Sequence, residues 1–282
     1  TAVSELRDFI DWTPFFKTWD LHGKFPAILD DEIVGTNAKE LYVDALSMLN
    51  KIETENLAKP KAVFGLFKAN TVNDDTIELF DENDNKIEEF YTLRQQAKKS
   101  KEQPNISIAD FIAPKDSNIQ DYIGAFAVTA GQEIEEVAKA YETNLDDYNS
   151  IMVKAIADRL AEAYAEYLHK YVRTEVWGYA KDETLSNDEL ISEKYKGIRP
   201  APGYPACPDH LEKETIFKIL DVENNAGIEL TSSLAMYPVS SVSGYYFGNP
   251  EAKYFGVGKI KMDQVEDFAQ RKNIELDKAE RW

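Results

Sequence analysis

Apolar positions at spacings of three and four alternate along this chain with stretches of two-residue periodicity, predicting a mixture of helices and strands. Leu41, Ala45, Met48, Leu49 and Ile52 keep one helical face, with Asn37 and Glu40 placed as a capping box and Pro60 beyond the end. The strongest helix is predicted from about Asp146 to Trp177. It contains no Pro or Gly, Gly178 stands at its C-terminal cap, and Val153, Ile156, Leu160, Tyr164, Tyr167 and Tyr171 recur on one face. Further helices are predicted at about Leu211 to Asn224, Met262 to Arg271 and Asp277 to Trp282.

Strand-like runs cover Ala62 to Phe67, Thr76 to Phe80 and Lys86 to Tyr91, the last two flanking the turn composition of Asp81 to Asn85. Ile106 to Ile112 and Tyr122 to Thr129 read as strands, the second apolar at nearly every position and so expected to be buried on both faces. Val242 to Phe247 and Tyr254 to Ile260 read as a hairpin around Gly248-Asn249-Pro250. Phe9 to Phe25 holds six large rings with Pro14 and Gly23, predicting a packed segment of short turns. Strands and helices do not alternate regularly, which favours an α+β fold over a doubly wound one.

The composition narrows the function classes. The 282 residues carry 51 acids against 32 bases, a formal charge of −19. Such a surface repels phosphate, so neither nucleic acid nor an anionic membrane is an expected partner. No apolar run approaches the ~18–20 residues that span a bilayer. The single cysteine, Cys207, forms no internal disulfide, which suits a reducing, cytoplasmic setting. The chain opens on Thr1 and runs at once into an aromatic segment, as expected of a piece of a longer protein.

Common motifs fail. Gly256-Val257-Gly258 is followed by Lys261 where the dinucleotide fingerprint needs Gly, and Gly258-Lys259 lacks the first glycine of a P-loop. Glu166-x-x-His169 has di-iron spacing, with Glu162 one turn earlier, but occurs once where such a site needs it twice. It reads better as an exposed helix face. Cys207 and His210 make a weak thiol–base pair across Pro208.

One stretch stands apart, Arg199-Pro200-Ala201-Pro202-Gly203-Tyr204-Pro205-Ala206-Cys207-Pro208-Asp209-His210. Its prolines fix φ, remove donors and push the preceding residues to extended geometry, so the chain there is a stiff ribbon. The remaining amides need acceptors, Gly203 admits close approach of a flat group, and Arg199 offers a planar fork to a carboxylate. Two readings stay open on these grounds: a small-ligand site, or a rigid loop with a buried arginine salt bridge.

That string closely resembles the S-adenosylmethionine-binding signature of the activation domain of cobalamin-dependent methionine synthase. Ile10 to Phe16, Ala109 to Pro114, Tyr122 to Val128, Ile151 to Ala155 and Val242 to Phe247 resemble the same domain in order, so the likeness spans essentially residues 1–282. The resemblance implies one C-shaped α+β domain with a twisted antiparallel sheet flanked by helices, a module of a larger methyltransferase, 5-methyltetrahydrofolate–homocysteine methyltransferase, in methionine biosynthesis. It implies binding of S-adenosylmethionine, whose methyl group reductively remethylates cob(II)alamin held by a separate corrinoid-binding module, with flavodoxin or a similar flavoprotein as electron donor. Residue by residue, Arg199 matches the position that holds the methionyl carboxylate. The backbone of Ala201, Gly203 and Tyr204 matches the segment that receives the nucleoside. Asp11 matches the acid that binds the ligand's amino group, a helix-cap role being its alternative. Tyr254 matches the first of two tyrosines near the sulfonium, Phe255 departs from the second, and Glu162 matches an acidic position facing the site. No D-x-H-x-x-G corrinoid motif occurs, so the chain alone is expected to bind the ligand without turnover. A docking domain for the electron donor and corrinoid module, without catalytic work, is the alternative.

Overall fold

The computed structural model describes residues 1–281, and Trp282 lies outside them. Ten helices run in chain order as α1 (Val3–Leu6), α2 (Thr13–Thr18), α3 (Gly35–Thr54), α4 (Glu133–Thr143), α5 (Asp147–Tyr171), α6 (Asn187–Ile191), α7 (Glu212–Leu220), α8 (Val222–Ala226), α9 (Met262–Lys272) and α10 (Leu276–Arg281) among the described residues. The strands are β1 (Lys61–Val72), β2 (Thr76–Phe80), β3 (Lys86–Tyr91), β4 (Asp121–Thr129), β5 (Glu229–Leu230), β6 (Met236–Tyr237) and β7 (Ser241–Tyr246). Five of them form one antiparallel sheet in the order β3-β2-β1-β4-β7, and β5 and β6 pair as a small separate ribbon. This is the expected α+β architecture, a mixed fold with an antiparallel sheet flanked by helices.

β4 shows why the middle of the sheet is apolar at every position. Successive side chains point to opposite faces. Phe126 and Val128 join the core built by α1 to α5, while Ile123, Ala125 and Ala127 join the core under α7 and α8. β7 and the residue after it split the same way, with Tyr246 on the α5 side and Tyr245 and Phe247 on the other. The aromatic N-terminal segment packs into the α5-side core, where Phe15 and Phe16 are wholly buried.

Five expectations need correction. α3 begins at Gly35, so Asn37 lies inside the helix; the Asp31 carboxylate instead accepts the amides of Ile33 and Val34 at 2.8 and 3.0 Å. Ile106 to Ile112 is not a strand. Ser107 accepts the Ala109 amide, Asp110 accepts the Ser107 amide at 2.9 Å, and this reciprocal cap winds Ile108–Phe111 into a 3-10 turn. The helix expected from Leu211 to Asn224 is two, because Asp221 takes a left-handed φ of 46° between α7 and α8. Residues 254–260 do not pair with β7, whose edge is already taken. Ile198 and Phe247 exchange amide–carbonyl bonds at 3.0 Å, and the Tyr245 amide donates to Pro200 O at 2.9 Å. The long helix ends earlier than expected as regular α-helix: α5 stops at Tyr171, residues Val172–Val176 continue as one π turn, and Gly178 follows with φ +73°. The helix α4, with Ile134 and Ala138 buried, has no counterpart in the sequence reading.

Candidate functional site

The proline-rich segment is the added edge of the sheet, and it starts the site. A proline cannot donate to a ladder, yet its carbonyl can accept. Pro200 O therefore takes the Tyr245 amide while the ring leaves the ladder. The approach is close: a Cβ on Gly244 would stand 2.5 Å from Pro200 O. Beyond Pro200 the chain folds on itself, the Tyr204 amide donating to Ala201 O, the Gly203 amide to Cys207 O and the Cys207 amide to Tyr204 O, at 3.1, 2.8 and 3.0 Å. The Cys207 thiol donates to Ala201 O at 2.9 Å, and burial pushes it well above the ordinary thiol range, so it serves as a structural donor. Gly203 does admit a flat group: its φ is +94°, and a Cβ there would meet the His210 ring at 2.4 Å. The occupant of that gap is thus the chain's own imidazole. Among the described residues the amides of Ala201 and Ala206 have no acceptor.

This ribbon closes one side of a cleft of about 510 Å³. The floor is Phe126 of β4 and Val242 of β7, α5 contributes Glu162, and the remaining wall includes Glu193, Arg199, Ala201, Tyr204, Ala206, Tyr254 and Phe255. Six of the eight residues singled out in the sequence therefore meet here: Glu162, Arg199, Ala201, Tyr204, Tyr254 and Phe255. Gly203 supports the ribbon from behind. Asp11 is not among the residues that line the cleft; its Oδ1 accepts the Thr13 amide at 2.9 Å just ahead of α2.

Arg199 is the best-anchored group of the cleft. One terminal nitrogen donates to Glu166 Oε2 at 3.0 Å and the other to His169 Nδ1 at 3.1 Å. Burial disfavours its charge, but the Glu166 carboxylate outweighs that and holds it firmly protonated. Its backbone amide donates to the Tyr254 hydroxyl at 2.9 Å, which is 2.8 Å from the Tyr195 hydroxyl. Burial raises the Tyr254 phenol above its usual range, so it stays neutral. Phe255 packs its ring edge-on against Phe111, which needs no hydroxyl.

The Glu166-x-x-His169 pair is buried, not exposed as expected, at 8 % and 0 % accessibility. Both residues turn to Arg199, and the buried-arginine reading of the ribbon is therefore present beside the cleft rather than instead of it. Arg199 keeps 15 % of its side chain accessible. Glu193 joins the wall without a signal in the sequence pattern. It follows the short helix α6 in a left-handed conformation, φ +57°, and no local pattern announces it. Partial burial raises its carboxyl, with Arg199 opposing and Glu166 reinforcing. With Arg199 matched by Glu166, the remaining ionisable acids of the wall, Glu162 and Glu193, leave the cleft net negative.

The comparisons follow the same outline. A solved structure described as the MetH reactivation domain bound to AdoHcy is similar to this chain, with 55 % identity and a TM-score of 0.97, over 100 % of this chain and 87 % of that one. The family model for the activation domain of vitamin B12-dependent methionine synthase matches residues 2–273. Fold, ribbon and cleft thus converge on one conclusion: this chain belongs to the family of vitamin B12-dependent methionine synthase activation domains.

Proposed function

We propose that the cleft binds S-adenosylmethionine and presents its methyl group for reductive reactivation of the enzyme's corrinoid. The observation that carries this is the convergence of one anchored guanidinium, two free acids and two unpaired ribbon amides on a single cleft. The similar structure bound to AdoHcy, the demethylated form of the same ligand, supports it.

The residues divide the ligand between them. Arg199 has five N–H groups; Glu166 and His169 take two, and three remain for the methionyl carboxylate. Glu193 on the wall meets the α-ammonium group. Ala201 and Ala206 offer amides to the nucleoside, and Tyr204 and Phe255 offer ring faces. The net-negative wall favours a cationic sulfonium over its neutral thioether product. The bound sulfonium supplies the methyl group and is already a good leaving group, so the chain's contribution is orientation. Residues 1–282 act as one module of the methyltransferase in the cytoplasm, approached by the corrinoid-binding module and by flavodoxin or a similar donor, and the chain alone binds without turnover.

Isothermal titration tests this. The chain binds S-adenosylmethionine one to one, and Arg199→Ala weakens binding by about 2–5 kcal/mol, roughly 30-fold or more. Equal affinity in the variant overturns the assignment. No binding by the parent chain leaves only a docking role.

A further inference from the structure

The arginine that meets the ligand carboxylate carries two anchors of its own, Glu166 and His169. We propose that Glu166 and His169 are positioning residues that fix the plane of the Arg199 guanidinium so that its remaining N–H groups face the cleft. This rests on the ligand reading just given.

The geometry is specific. Glu166 and His169 stand three residues apart on α5, which puts both on one face. One holds each terminal nitrogen of the same guanidinium, at 3.0 and 3.1 Å, so the fork is pinned at two points. An arginine side chain otherwise loses rotamer entropy when a ligand orders it. The His169 ring is itself locked, lying parallel to Tyr246 at 5.0 Å and edge-on to Tyr195 at 4.8 Å. Only a neutral imidazole can accept from Arg199. Burial, then the nearby guanidinium groups of Arg199 and Arg173, lower the His169 pKa well below the ordinary imidazole range, keeping Nδ1 an acceptor and placing the proton on Nε2. Glu166 Oε1 and His169 Nε2 have no partner among the described residues. Both side chains therefore face Arg199 with a single bond each, and neither shares it with another group.

The test separates positioning from mere structural support by using a ligand that lacks the carboxylate. Binding of S-adenosylmethionine and of 5′-methylthioadenosine is titrated for the 282-residue chain and for Glu166→Gln, His169→Phe and His169→Asn. Phe keeps the ring between its aromatic neighbours and loses the acceptor. Asn keeps an oxygen where Nδ1 stood and loses the ring. Glu166→Gln and His169→Phe are expected to weaken S-adenosylmethionine about tenfold, the equivalent of one charge-assisted hydrogen bond, and to leave 5′-methylthioadenosine within about twofold. His169→Asn is expected to recover most of the loss. In an Arg199→Ala background, Glu166→Gln is expected to cost nothing further. Equal losses for both ligands, or no loss for either, overturn the positioning role while leaving the cleft assignment standing. If the parent chain binds neither ligand, the cleft reading fails and this one with it.

Discussion

Arg199 and Glu166 are joined across the wall of the cleft at 3.0 Å, with 15 % and 10 % of their side chains accessible. The pair serves stability and recognition at once, and the two can be separated. Removing Arg199 alone leaves a mostly buried carboxylate unmatched, which costs about 3 kcal/mol. Arg199→Ala is therefore expected to lower the urea midpoint. Glu166→Gln added to it is expected to restore most of the stability and none of the ligand affinity. A double variant that regains binding contradicts the role given to Arg199.

The ribbon's seat on the sheet depends on one glycine. A Cβ at position 244 would press on Pro200 O at 2.5 Å, on the Phe126 ring at 3.0 Å and on Ala201 Cα at 3.3 Å. Two of these are backbone atoms, which cannot rotate away. Gly244→Ala is expected to cost about 1–3 kcal/mol in chemical unfolding and to weaken ligand binding through displaced Ala201 and Arg199. An unchanged stability and affinity would mean that the ribbon yields freely.

Tyr254 joins the ribbon to the opposite wall through its hydroxyl, which accepts the Arg199 amide at 2.9 Å. Tyr254→Phe keeps the ring and orphans that amide. The expected cost is about 1 kcal/mol of stability, measured by thermal unfolding. The same variant is expected to bind S-adenosylmethionine several-fold more weakly. Full affinity in the variant contradicts a part for this hydroxyl in holding the ribbon.

Behind the ribbon lies a buried acid with a pH signature. Glu212 is 1 % accessible, its Oε1 is 2.5 Å from the Lys272 ammonium, and its Oε2 has no partner among the described residues. Burial pushes its carboxyl up to about 8, Lys272 opposing and Asp209 reinforcing. A raised carboxyl holds its proton in the folded chain after the unfolded chain has released it. Folding stability contributed by this group is therefore present at acid pH and falls as pH rises from the ordinary carboxylate range toward 8. Glu212→Gln is expected to flatten that decline by at least about 1.4 kcal/mol between pH 5 and 8, the equivalent of one pKa unit. Parallel pH profiles for the two proteins would rule the group out.

Local chemistry made much of this legible from the residues. Proline removes donors wherever it stands, so the irregular ribbon and its need for acceptors could be read directly, as could β4 from its unbroken apolar run. Asp81 to Asn85 announced its hairpin because turn residues act within a few positions. What could not be read depends on distant partners. Residues 254–260 have strand composition, but the ribbon holds the β7 edge they would need. Glu162, Glu166 and His169 form a polar stripe at helical spacing, which reads as a solvated face until the Arg199 guanidinium, from thirty residues along the chain, meets Glu166 and His169. Glu193 owes its place to a left-handed turn after a short helix, and no periodicity marks it.

The most direct measurement is a crystal structure of this chain grown with S-adenosylhomocysteine. The expected result is ligand density in the cleft between Arg199, Tyr204 and Tyr254, a carboxylate oxygen within about 3.2 Å of the guanidinium, and Arg199 still bonded to Glu166. An empty cleft with Arg199 held by Glu166 and His169 alone, or ligand density elsewhere on the chain, would contradict the account.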